Sequence, residues 1–136
     1  MQSPAKLDIH YLPYSVYTHF RGEGYNMSSA KSCKVIAYFI IAPVGIKSTS
    51  MGSYVAAAVA AMNEVKDLKC EITPMGTVME ADSLETIFEA VKAAHETLIV
   101  KGILRVESTL IIDDRRDKPR TMKDKVNSVK KHMKQL

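Results

Sequence analysis

Three stretches of this chain gather the residue types that do chemistry. Gly45-Ile46-Lys47-Ser48-Thr49-Ser50 places an ammonium and three hydroxyls directly after an apolar run. Thr73-Pro74-Met75-Gly76-Thr77 sets two hydroxyls and a thioether around a Pro–Gly break. Asp113-Asp114-Arg115-Arg116-Asp117-Lys118-Pro119-Arg120 crowds acids and bases beside one proline. The first two offer hydrogen bonds to a small polar molecule. The third reads as a nucleic-acid grip, an acid–base pair, or a solvated corner.

Several chemistries fall away. A nucleophilic enzyme needs a Ser, Thr or Cys held by a base. His10 and His19 lie near the N-terminus, His132 lies near the C-terminus, and His95 borders the apolar stripe of a helix. Cys33 and Cys70 have no base beside them and no metal-ligand or redox spacing. No close His/Cys cluster offers a metal site. "GIKSTS" lacks the phosphate-loop spacing, although N–H groups at a helix start there can meet an anion as readily as they can simply be capped. An RNA-binding sheet needs exposed aromatics interleaved with basic residues on its central strands. Tyr38 and Phe39 stand without that motif.

Charge supports the same exclusions. Residues 1–114 carry 10 basic and 13 acidic side chains, and residues 115–136 carry 9 and 2. The net +4 is therefore a property of the last segment, which reads as a solvated helix face. With 46% hydrophobic and 25% charged residues, the 136-residue chain has the composition of one soluble globular domain. No apolar run is long enough for a membrane span, and no secretory signal pattern opens the chain. A cytoplasmic protein with reduced thiols is expected.

The periodicities say what must position these residues. "KVIAYFIIAPVG" (34–45) is apolar on both parities, as in a central strand covered on both faces or on one face plus a subunit contact. A helix follows to about Asp67, with Ser48 or Ser50 as cap and Tyr54, Val55, Ala58, Val59, Met62 and Val65 inward. Residues 69–81 read as two strands broken at Pro74-Met75-Gly76, where glycine permits positive φ. A second helix over 81–102 is capped by Asp82 or Ser83, carries Leu84, Ile87, Phe88, Val91, Ala94 and Leu98 inward, and ends at Gly102. In 105–113, Val106, Ser108, Leu110 and Ile112 form the better core parity. Thr121 with Asp124 opens a last helix to about Met133. Residues 1–32 read as a loose extension or an edge addition, and 33–136 as one domain.

The order β-α-β-β-α-β-α is that of a ferredoxin-like α+β sandwich with an added C-terminal helix and sheet order 4-1-3-2. In that topology "GIKSTS" and "TPMGT" are neighbours within a subunit, at one end of the sheet. "DDRRD" lies at the other, with Asp113 and Asp114 ending the last strand. Arg115 and Arg116 are expected to meet acids at the second helix start or across an interface, which makes the corner reading the strongest of the three.

The strings "APVG…STS…YVAAAV", "EITPMGTVMEADSLE" and "IDDRRDKPRTMKDKV" resemble a small thiamine-binding family related to YkoF, from about residue 34 to the C-terminus. The resemblance implies a ferredoxin-like fold in homodimers, commonly homotetramers. It further implies binding of thiamine or its hydroxymethylpyrimidine half at or near subunit contacts, with no assigned catalysis and no cofactor beyond that ligand. For such a ligand Ser48, Thr49, Ser50, Thr73 and Thr77 supply hydroxyls, and Met75, Val44 and Tyr54 supply a wall. A partner subunit's Glu80 or Asp113 would face the thiazolium cation. Lys47 opposes that cation but not neutral hydroxymethylpyrimidine or a phosphorylated ligand. Neither nucleic acid nor membrane is an expected partner. The alternative is an enzyme or regulator acting on another small heterocycle.

Overall fold

A computed structural model describes residues 33–135. The expected extension over residues 1–32 lies outside the described residues. Seven elements follow in order: β1 (Val35–Val44), α1 (Gly52–Asn63), β2 (Lys69–Thr73), β3 (Gly76–Ala81), α2 (Leu84–Val100), β4 (Arg105–Asp114) and α3 (Met122–Met133).

The four strands form an antiparallel sheet in the order β2-β3-β1-β4. This is the expected ferredoxin-like order read from the other edge. Side chains alternate between faces, and the register sorts them. Val35, Ala37, Phe39 and Ile41 share one face with Met79 and Ala81 of β3 and with Leu110 and Ile112 of β4. Helices α1 and α2 cover this face, and Ala58, Met62, Ile87, Ala90, Ala94 and Leu98 close the core against it. The parity chosen for β4 is thus the inward one.

The opposite face carries Ile36, Tyr38, Ile40, Val78, Glu80, Ile111 and Asp113. The first turn of α3 attaches there: the Met122 N–H donates to Glu80 Oε2 at 2.7 Å, and Lys125 pairs with Asp113. No residue of α3 is buried. Polar contacts rather than apolar burial therefore hold the added helix.

Local signals explain most boundaries. Ser83 caps α2 by accepting from the Thr86 N–H at 3.2 Å. Asp82 pairs with Lys34 instead of joining a capping box. At the other end Gly102 takes φ +87°, its N–H donates to the Ile99 carbonyl, and the Ile103 N–H donates to the Leu98 carbonyl. That is the two-bond helix stop for which glycine is best suited. Thr121 and Asp124 form the expected reciprocal capping box.

Two expectations are corrected. Helix α1 starts from Met51 with no side-chain cap, because the Ser48 hydroxyl instead accepts from the Ser50 N–H within the loop. It ends at Asn63, four residues short of Asp67. Phe88, placed inward by its spacing, is half exposed, since Ile87 and Val91 already fill the α2 stripe over the sheet.

Candidate functional site

The β1–α1 loop and the β2–β3 hairpin occupy one end of the sheet at different heights. Pairing of β1 with β3 stops at Phe39 opposite Thr77, while β1 runs on to Val44 beside β4 alone. Those five further residues carry the loop about 15 Å past the level of Thr77, at about 3.3 Å per residue, while the hairpin turn extends only a residue or two beyond that level. One cleft of about 570 Å³ opens at the far end, lined by Val44–Ser48, Tyr54 and Lys101–Leu104. It includes Ser48 and two ammonium groups, Lys47 and Lys101, and none of Thr73, Met75 or Thr77. Thr49 and Ser50 are exposed beside it.

The hairpin residues have distinct local roles. Thr73 Oγ1 donates to the Gly76 carbonyl at 2.8 Å and closes the turn. Met75 stands at its tip, 76% exposed. Thr77 is buried on the helix-covered face opposite Phe39. Gly76 does not use positive φ. It is required because a Cβ there would lie 2.8 Å from the Phe39 carbonyl oxygen and 2.7 Å from Tyr38 Cζ. Sequence spacing identifies the turn but not this close approach.

A second cleft, about 510 Å³, lies at the opposite end between β2 and the start of α3, lined by Lys69, Cys70, Glu71, Glu80, Thr121, Met122 and Lys123. Glu80 is its buried carboxylate, only 3% exposed. One oxygen accepts from Met122 N–H and the other from Lys69 Nζ at 3.3 Å. A carboxylate is favourable at the positive end of a helix, which accounts for a charged residue in a strand otherwise uncharged. Burial pushes the Cys70 thiol above its ordinary range, so this cysteine is a poor nucleophile. Lys69, Cys70, Glu71 and Met122 were not singled out by spacing. The available signal was a lone glutamate within "GTVMEA", whose burial demands partners.

The charged stretch resolves into local pairs. Arg116 binds Asp114 through two nitrogens. Arg115 reaches Asp117 at 2.6 and 2.7 Å, rather than an acid at the α2 start. A partner two residues away is already held close by the chain, so the short reach wins over the long one. The Arg115 guanidinium holds the Asp117 carboxyl down at about 2, and the pairing raises Arg115 in turn. Asp114 and Ala81 flank Val35 in the register, so the corner does lie beside the start of α2. Among the described residues no group of three or more His, Cys, Asp or Glu side chains is arranged to hold a metal. None of their helices is long and apolar enough to cross a membrane.

Comparison with known proteins fits this geometry. The family described as thiamine-binding protein matches residues 37–130. A UPF0045 protein of Methanothermobacter thermautotrophicus is 50% identical over 96 residues, 71% of this chain and 96% of that protein. The UPF0045 protein YqgV of Bacillus subtilis is 37% identical over 101 residues, 72% and 96% of the two chains. A crystal structure from Methanocaldococcus jannaschii superposes with a TM-score of 0.64 at 39% identity, covering 71% of this chain and 96% of that one. One from Thermotoga maritima, provisionally assigned to thiamine biosynthesis or salvage, shares the fold at a TM-score of 0.59 and 21% identity, over 71% and 98%. The match spans both clefts and the hairpin between them, and on it the chain belongs to the thiamine-binding protein family.

Proposed function

We propose that this protein binds thiamine or its hydroxymethylpyrimidine half, without turning it over, in a pocket completed where copies of the chain meet. The family match over residues 37–130 carries the reading. In this reading Ser48, Thr49 and Ser50 present hydroxyls to the aminopyrimidine. Of the hairpin residues Met75 is the side chain that reaches outward to the ligand, while Thr73 closes the turn and Thr77 packs inward to hold it. Because the hairpin lies well short of the loop in one chain, the two line a common pocket only when a second subunit brings its own stretch alongside. A partner's Asp113, half exposed beside Lys125, supplies the counter-charge for a thiazolium, because Glu80 is buried and bonded within its own subunit. Lys47 and Lys101 at the Ser48 cleft favour neutral hydroxymethylpyrimidine, or a phosphorylated form, over free thiamine.

Isothermal titration with thiamine, hydroxymethylpyrimidine and thiamine diphosphate at two salt concentrations tests this. Saturable binding of thiamine or the pyrimidine, with the ligand recovered unchanged, is the expected result. Thr49→Val removes a hydroxyl from an exposed position and should weaken binding at least tenfold while leaving the melting temperature unchanged. Absence of heat with all three compounds refutes the ligand assignment. A chemically altered ligand refutes the non-catalytic part and favours an enzyme.

A further inference from the structure

The two clefts differ in charge. In the one between β2 and α3, Lys69 and Lys123 stand against Glu71 and Glu80, and the Glu80 carboxylate already holds Lys69 and the Met122 N–H. The one at the far end, about 570 Å³, is lined by Lys47 and Lys101 and by no carboxylate. Neither of these lysines has an ion-pair partner among the described residues. Glu107, the acid next along β4, is held by Arg105. The first turn of α1 contains no acid. The negative end of α2 lies beside this cleft, but its Thr97, Ile99 and Leu98 carbonyls accept from the N–H groups of Lys101, Gly102 and Ile103. The cleft therefore holds two positive charges that no neighbouring group neutralises, and such a site attracts anions.

Register and glycine build its shape. Val44 pairs with Arg105, so β1 and β4 reach this end side by side, and the loop after one and the loop before the other form the two walls. Each wall bends at a glycine in the left-handed region, Gly45 at φ +82° and Gly102 at φ +87°, a conformation open to glycine at no steric cost. Lys47 follows the first glycine by two residues and Lys101 precedes the second by one, so each wall contributes one ammonium. Ile46 and Ile103 add apolar lining between them. The Ser48 hydroxyl oxygen accepts from the Ser50 N–H at 3.0 Å, which leaves its own proton to be donated.

We infer that this cleft takes a phosphate monoester of a small heterocycle, with the phosphoryl group held between Lys47 and Lys101, the ring against Ile46 and Ile103, and the Ser48 hydroxyl donating to a ring nitrogen. This ligand form narrows the function proposed above and rests on it. A phosphomonoester carries about two negative charges at neutral pH and three strong acceptor oxygens, which matches two ammonium groups. A carboxylate brings less charge, a diphosphate brings more, and thiamine brings a fixed cation toward the same two lysines. The hydroxymethyl oxygen of hydroxymethylpyrimidine can carry such an ester, and the pyrimidine adds no opposing charge.

Calorimetry with the full chain tests this by comparing hydroxymethylpyrimidine with its phosphate monoester at low and high ionic strength. The ester should bind at least about tenfold more tightly at low salt, through charge-assisted hydrogen bonds that the alcohol lacks. That advantage should shrink at high salt. Lys47→Gln and Lys101→Gln should each weaken ester binding about fivefold or more and leave the alcohol's affinity unchanged. Lys123→Gln, at the other cleft, should change neither. Lys101 also ends α2, where a cation suits the helix, so Lys101→Arg provides a variant that keeps the charge and should keep the ester's advantage. Equal affinity for the two compounds overturns the phosphate site while the pyrimidine reading stands. An ester advantage that survives both glutamine changes, or that Lys123→Gln abolishes, overturns it as well. Lysine-dependent binding of the ester, with no heat from the unphosphorylated pyrimidine or from thiamine, supports the phosphate site and refutes the broader reading.

Discussion

Replacing Glu80 tests whether a single buried carboxylate holds the added helix. Glu80 is 3% exposed, bonds the first N–H of α3 at 2.7 Å and meets Lys69 at 3.3 Å. Lys69 is 70% exposed, so that pair contributes about 0–1 kcal/mol. The Met122 bond to an ionised acceptor is worth about 1.5–3 kcal/mol, and leaving its N–H unsatisfied costs a similar amount. Attraction between the carboxylate and the helix end is part of the same quantity, about 0.3–2 kcal/mol. Glu80→Gln keeps an acceptor and loses the charge, and should cost about 1–2 kcal/mol. Glu80→Ala loses both and leaves space behind, and should cost about 2–4 kcal/mol. In a domain of about 100 residues each kcal/mol lowers the melting temperature by about 4–8 °C. The alanine variant should therefore melt at least about 8 °C below wild type, compared at one protein concentration because assembly adds to apparent stability. Hydrogen exchange should show the first amides of α3 losing protection ahead of the core. An alanine variant within about 0.5 kcal/mol of wild type, a difference typical of an ordinary surface substitution, refutes the assignment.

Two further outcomes follow from geometry and charge. Gly76→Ala places a Cβ 2.8 Å from the backbone oxygen of Phe39. It should cost about 1–3 kcal/mol in urea unfolding, the range for overpacking, and a neutral result would mean that the hairpin shifts freely. Asp117 is held from its ordinary 3.8 down to about 2 by Arg115, and the Thr121 backbone N–H and hydroxyl lower Asp124. Both groups favour the folded state above the unfolded value and lose that contribution as pH falls through the folded one. The urea midpoint should thus drop between about pH 4 and 2, and Asp117→Asn should differ from wild type above that window and converge with it below. Parallel pH curves would show that the Arg115–Asp117 pair does not persist in solution.

Much of the fold was legible because its signals are local. The helix stop at Gly102, the capping box at Thr121 and the inward parity of β4 each depend on residues within a few positions of one another. The ferredoxin-like order follows from the sequence of elements together with the rule that covered strands read as apolar runs. Legibility failed where space or a distant partner decides. Gly76 looked like a φ requirement and proved to be a steric one, set by Tyr38 and Phe39 nearly forty positions earlier. Ser48 looked like a helix cap and proved to bond within its own loop. Thr73, Met75 and Thr77 looked like one hydroxyl-and-sulfur wall. Strand alternation instead sends Thr77 into the core, while the turn consumes the Thr73 hydroxyl.

The basic C-terminal segment has a structural explanation that does not involve a nucleic acid. Its helix buries no residue, so it lacks the apolar area that usually fixes a helix to a sheet. It is tied down by carboxylates: Glu80 at its first N–H, Asp124 within its capping box and Asp113 at Lys125. Its last turn carries Lys130, Lys131 and His132, where positive charge complements the negative end of the helix. Together these contacts fix the start of the helix beside Glu80 and Asp113 on the face of the sheet that α1 and α2 leave uncovered. The strong positive balance after residue 114 is thus partly a means of placing α3, and the same placement walls one side of the cleft that contains Glu80.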